Sequence, residues 1–148
     1  MAGLNSILSL KNRVYEASQN LINGTYMQMA VTNNASAIIE ANQDQLYELG
    51  HNPLGISIGS YAPKTITIKK DKGQPYDRVT LKDTGDFYAG FHLDADNTGF
   101  RISSTDWKTE ELLERWGNVF GLTEENRLRI SWSLFFPFLI KTVREVIF

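Results

Sequence analysis

The chain has 148 residues, 42% of them hydrophobic and 22% charged, the balance of an ordinary globular fold and not of a disordered chain. It has no cysteine and only two histidines, His51 and His92. That excludes disulfide scaffolds, thiolate zinc sites, iron–sulfur clusters and cysteine nucleophiles, and it leaves little for an imidazole-rich metal site. Fifteen basic against 17 acidic residues give a net charge of −2, without the basic surplus of a dedicated nucleic-acid binder.

Ile7, Leu10, Val14, Ala17 and Leu21 recur at steps of three and four, which predicts a helix with Asn5 or Ser6 as its N-cap. Gly24 interrupts the pattern, and Tyr26, Met29, Ala30, Ile38, Ile39, Leu46 and Leu49 resume it more loosely. Gly50 ends the run in the manner of a C′ glycine. The expectation is one long, broken helical arm over 5–49, weakest where Asn33, Asn34, Asn42, Gln43 and Gln45 cluster.

Composition then changes. Three of the four prolines lie between Asn52 and Ser104, together with short alternating apolar runs. Ile56/Ile58, Ile66/Ile68, Val79/Leu81, Phe87/Ala89/Phe91/Leu93 and Phe100/Ile102 each have period two and predict strands. Asp94–Gly99 reads as a hairpin loop, and Lys69–Arg78 as a polar, mobile loop. Two helices follow. The first runs over about 107–120 and is ended by Gly121; the second starts after the capping Thr123 and is kinked by Pro137. The expected fold is α+β in a single domain over 1–148: a long N-terminal helix over 5–49, a small antiparallel sheet over 52–104 with its loop at 69–78, and two C-terminal helices over 107–147. The N-terminus lacks a secretory signal pattern, and the longest apolar stretch, Leu134–Ile140, is far short of the roughly 20 residues that span a bilayer, so a soluble protein with no membrane partner is expected.

Asp83-Thr84-Gly85 is the triplet with which an aspartic protease presents its catalytic carboxylate, and small viral members use one triplet per chain in a dimer. Lys82 before it and Asp86 after it depart from that pattern. The same three residues also make a structural turn, with Asp83 and Thr84 bonded to local backbone and Gly85 at positive φ. Asp94, Asp96, Thr98 and Gly99 echo the opening of a calcium loop, but the twelfth position is Thr105 in place of glutamate, so a hairpin tip is expected. His51 and His92 have no second imidazole at ligand spacing and read as structural. Neither a nucleophile elbow nor a phosphate loop is present, and no catalytic, metal or cofactor-binding residue is assigned. Six Lys/Arg against two Asp lie between Lys64 and Lys82; within that segment Lys69, Lys70, Lys72 and Arg78 form a candidate contact loop for a partner or for DNA. Ser131–Ile140 is apolar nearly all round, which makes Trp132, Phe135, Phe136 and Phe138 candidate subunit-interface residues.

Several of these segments recur together in a known order. Tyr61-Ala62-Pro63-Lys64-Thr65 precedes the Lys-rich Lys69–Gly73; Leu81–Phe91 follows, with Thr84-Gly85 before an apolar core; and Phe120-Gly121-Leu122-Thr123-Glu124-Glu125 opens the last helix. From Gln45 to about Thr123 the chain resembles the tail-completion and virion-morphogenesis (head–tail connection, neck) proteins of tailed bacteriophages. The resemblance implies a non-enzymatic structural protein, located in the virion neck or tail and in the cytoplasm of the infected bacterium during assembly. It implies a homo-oligomeric ring at the head–tail junction or tail end, with neighbouring neck, portal or tail proteins as partners and DNA in the channel as a further contact. It implies no cofactor, and it makes Thr84-Gly85 a corner that orients Phe87–Phe91. A small viral-type aspartic protease using Asp83 as a dimer is the alternative, and a monomeric binding module is a third reading.

Overall fold

A computed structural model describes residues 2–148. It is α+β: eight α-helices, two of them extended by a turn of π-helix, and one two-stranded antiparallel sheet among the described residues. The chain divides into two compact units.

The first unit holds the chain up to Asn34, the segment Ala95–Phe100, and Arg129–Phe148. Helix α1 (Ala2–Ile22) is followed directly by α2 (Thr25–Asn33). The break falls at Gly24, whose φ of +81° is left-handed, and a Cβ there would run into the carbonyl oxygen of Asn97. The Asn23 side chain accepts from the Thr25 amide at 3.0 Å and the Thr25 hydroxyl at 2.6 Å, which restarts the helix. The hairpin tip is tied on by Gln28 Nε2 to the Ala95 carbonyl (3.2 Å) and Asn97 Nδ2 to the Asn23 carbonyl (3.3 Å). A π-turn (Ser131–Phe135) leads into the last helix, α8 (Phe136–Ile147), which packs on α1. Pro137, expected inside the last helix, stands instead in the first turn of α8, directly after the π-turn, where a missing N–H costs little. Ala17, Tyr26, Ala30, Val31, Ile130 and Phe135 are the buried apolar residues of this unit.

The second unit comprises Ala35–Asp94 and Arg101–Leu128. Helix α3 (Ala35–Asp44) runs into a π-turn (Gln45–Leu49) and ends at Gly50 with φ +62°, as a C′ glycine should. Helices α4 (Pro63–Asp71) and α5 (Asp86–Ala89) precede strands β1 (Phe91–Ala95) and β2 (Phe100–Ser104); α6 (Thr109–Trp116) and α7 (Glu124–Ile130) follow. Phe87, Tyr88, Phe91 and Phe120 form an aromatic cluster with centroids 5.1–6.2 Å apart, beside the buried Ile38, Leu46, Val79 and Val119.

Three predicted strands are absent. Ile66 and Ile68 lie in α4, which Pro63 opens at its first turn. There the inward positions are Thr65, Ile66 and the buried Lys69, a helical spacing, while Ile68 faces out. Phe87–Ala89 is a helical turn, so β1 begins only at Phe91. Val79 and Leu81 join no ladder, and the Ile56/Ile58 segment contributes a single bridge, His51 to Ser57. The arm is broken at Gly24 and Asn34, and α6 is shorter than expected because Gly117, at φ +79°, ends it before Gly121.

Candidate functional site

The Asp83-Thr84-Gly85 triplet turns the chain from an extended segment into α5. Gly85 takes φ +94°, and the Thr84 hydroxyl donates to Asp86 Oδ2 at 2.8 Å. The Asp83 carboxylate receives Lys72 Nζ at 3.0 Å and Gln74 Nε2 at 3.4 Å, while Gln74 Nε2 also reaches the Asp83 carbonyl at 3.2 Å. The Lys72 hydrogen bond, then that of Gln74, holds the Asp83 carboxyl below the usual carboxylate range. The triplet is therefore a corner in which Thr84 bonds locally, as expected, while the Asp83 carboxylate is held by the side chains of Lys72 and Gln74 and not by local backbone.

Two residues before this corner the backbone is strained. Leu81 has φ +57°, the only positive φ outside glycine among the described residues. The surrounding bonds hold it there. The Thr80 amide donates to the Tyr61 hydroxyl at 3.0 Å, the Tyr88 hydroxyl donates to the Thr80 carbonyl at 2.5 Å, and Lys69 Nζ donates to the Lys82 carbonyl at 3.2 Å. Burial keeps the Tyr88 hydroxyl protonated, far above the usual tyrosine range. Leu81 thereby lines a cavity of about 280 Å³, together with Tyr61, Ile68, Phe87, Leu112 and Trp116. Tyr61 meets Trp116 edge-on, with centroids 6.3 Å apart. A Cβ at Gly59 would lie 2.8 Å from Trp116 Cζ3, so glycine there makes room for the indole.

The expected contact loop over 69–78 is a loop only after Asp71, since Lys69 and Lys70 belong to α4, and its four candidates take different roles. Lys69 is 6% exposed, bonded to Gln74 Oε1 and the Lys82 carbonyl, and lies 4.8 Å from the Tyr61 ring centroid. It is not a surface contact, because α4 turns it inward. Arg78 is half-buried: its Nε donates to the Tyr47 carbonyl at 2.6 Å and its Nη1 pairs with Asp77 at 2.6 Å. Lys72 is paired with Asp83, and Lys70 is exposed over the Tyr76 ring.

In the first unit, four of the five residues of the predicted α1 stripe are left uncovered. Ile7, Leu10, Val14 and Leu21 are exposed, and only Ala17 is buried. Leu4, Leu8, Tyr15 and Ile22 are exposed as well. The pairs Ile7-Leu8, Val14-Tyr15 and Leu21-Ile22 recur every seven residues, the period with which one helix lies along another. In the C-terminal segment Phe135 belongs to the core and Phe138 is half-buried, so the candidate interface narrows to Trp132 and Phe136, whose rings are 4.9 Å apart. Ile140 extends their row by one turn and is 60% exposed. Leu21 and Ile140 line one groove of about 400 Å³ with Leu139, Val143 and Phe148, which joins the two rows at that end.

The acidic hairpin tip and His92 are bonded within the chain. Asp96 accepts from the Thr98 amide (2.7 Å), the Thr98 hydroxyl (2.6 Å) and the Gly99 amide (3.0 Å), bonds that hold its carboxyl below the usual range and close the hairpin tip. His92 Nδ1 donates to the Gly90 carbonyl (3.3 Å), and Nε2 accepts from Ser103 (2.8 Å). Among the described residues no three His, Cys, Asp or Glu side chains are grouped to hold a metal ion, and no helix is long and apolar enough to cross a membrane. Comparison with family models, curated proteins and solved structures yields no match.

Proposed function

We propose that this chain is a structural virion protein of a tailed phage that assembles as a ring at the head–tail junction or tail end. The observation that carries the reading is the uncovered apolar surface of the first unit. A 21-residue helix exposes Leu4, Ile7, Leu8, Val14, Tyr15, Leu21 and Ile22, and the last helical segment exposes Trp132, Phe136 and Ile140. Soluble monomers rarely leave contiguous apolar rows of this kind, whereas subunits of an assembly cover them with neighbours. A second copy presents the same rows, so copies related by rotation about a closed axis offer one another matching apolar surface. The bonding of the Asp83 carboxylate to Lys72 and Gln74 supports a positional role for the triplet.

The test is the native mass of the purified chain across a wide concentration range, with the particles imaged by electron microscopy. A closed ring is the expected result. One-chain mass at every concentration, with no recruitment to phage necks or tails in an assembly extract, would overturn the reading.

A further inference from the structure

The cavity beside the Asp83 corner lies wholly within the second unit. Its volume of about 280 Å³ sits at the lower edge of the roughly 300–1,000 Å³ typical of ligand pockets. That is room for one amino-acid-sized group. Its interior is apolar and aromatic, with Leu81, Phe87, Leu112 and Trp116 on the walls. Two features show that it is maintained against local preference: Leu81 is held at φ +57°, and Gly59 leaves the space that the Trp116 ring fills.

Charge in the cavity is unbalanced. Five cationic side chains line it against the carboxylates of Asp83 and Asp106. Lys69 is used internally, Lys72 neutralises Asp83, and Lys82 lies over the rings of Tyr47 and Tyr88. Asp106 accepts the Lys108 backbone amide at 2.7 Å. Lys82, Arg115 and Lys108 are without a carboxylate partner within 4 Å among the described residues; Arg115 and Lys108 each rest near an indole, with Arg115 Cζ 5.1 Å from the Trp116 centroid and Lys108 Nζ 5.3 Å from that of Trp107. A guanidinium beside an apolar cavity presents a planar fork of donors that matches a carboxylate.

We propose that this cavity binds an apolar carboxylate: a large hydrophobic group seated between Leu81, Leu112 and Trp116, with its carboxylate taken by Arg115 and Lys108. The same chemistry comes from a free aryl- or alkyl-substituted acid or from a partner peptide with an acidic residue beside an aromatic one.

Three probes separate these cases on the full chain: N-acetyl-phenylalaninate, its neutral amide, and a doubly blocked Asp-Phe dipeptide. The indole N–H signals of Trp116 and Trp132 are followed by NMR. The expected result is a saturable shift at Trp116 and none at Trp132, with the neutral amide bound about tenfold more weakly than the carboxylate. Tighter binding of the dipeptide assigns the site to a peptide, and tighter binding of the free acid to a small molecule. Arg115→Gln, an exposed position, should weaken the carboxylate about fivefold and leave the amide unchanged; Lys141→Gln, in the first unit, should change neither. No saturable shift at Trp116 up to about 10 mM, or equal binding of acid and amide, would overturn the proposal. Both measurements use the unsubstituted chain, so they hold even if Arg115→Gln misfolds.

Discussion

Gln45 and Thr123 are joined by a hydrogen bond from the Thr123 amide to Gln45 Oε1 at 2.9 Å, across 78 positions of sequence. The same oxygen accepts from Asn126 Nδ2 at 3.1 Å, and Gln45 Nε2 donates to the carbonyls of Gly121 and His51, both at 3.3 Å. One turn earlier, Asn42 donates to the Val119 carbonyl (3.0 Å) and accepts from the Gly121 amide (2.9 Å). Two buried amides thus take the place of a β-ladder for the 117–123 segment.

Gln45→Leu should destabilise the fold by about 2–3 kcal/mol, because buried amides and carbonyls are left without partners in exchange for one apolar group. Thermal unfolding measures this. A loss below about 0.5 kcal/mol would mean that water replaces the side chain.

Gly24→Ala should be severely destabilising, since it combines a left-handed φ with a Cβ placed against the Asn97 carbonyl. A loss of about 2 kcal/mol or more is expected. Gly3→Ala, in open space on α1, should be neutral or stabilising by up to about 1 kcal/mol. Unfolding of the two variants side by side isolates the backbone effect.

Leu81→Val should cost about 1–2 kcal/mol more than Leu81→Gly, because a β-branched side chain tolerates φ near +57° worst and glycine best. The reverse order of melting temperatures would show that packing of the Leu81 side chain, not backbone strain, dominates at this position.

Asp83→Asn tests the corner through pH. The folded-state pKa of Asp83 lies below its ordinary value of 3.8, so the Lys72 and Gln74 bonds stabilise the fold fully above that value. The contribution is lost as pH falls through the lower, folded pKa. Because the pair is largely exposed, the effect at neutral pH should be within about 0.5 kcal/mol, and the variant's acid unfolding curve should be flatter than that of the parent. Oligomeric mass should not change. Peptidase activity that disappears with Asp83→Asn would instead establish the aspartic-protease alternative.

Ile7→Glu and Ile140→Glu should each abolish self-assembly and leave the melting temperature of the dilute, unassembled chain unchanged, since both side chains are at least 60% exposed in the isolated chain. Sedimentation and thermal unfolding of the same samples separate the two effects. A drop in melting temperature with assembly intact would mean that the rows belong to the chain's own core.

Local signals were readable without coordinates wherever one residue type dictates the backbone. Gly50 ends the π-turn at positive φ, Thr123 caps α7, Gly24 divides the arm, and Asp94–Gly99 closes the hairpin. The strands at Ile66/Ile68 and Phe87/Ala89 were misread because two apolar residues with one between them satisfy period two, yet a helical turn can accommodate them equally well. Asn42 and Gln45 carried no apolar signal at all, although they hold the 117–123 segment. The stripe Ile7, Leu10, Val14, Ala17 and Leu21 was legible as a seven-residue repeat, but the sequence did not show that four of its five members stay uncovered.

Chain chemistry alone therefore settles several of the backbone bends, that no cysteine-based chemistry is present, and that helices flank a small hairpin. Those properties depend on residues acting on their immediate neighbours. The burial of Lys69, the strain at Leu81, the cavity they border, and the uncovered face of α1 depend on which distant segments meet. Long-range packing decides them, because the same Lys or Ile serves equally well inside or outside until its partners across the fold are in place.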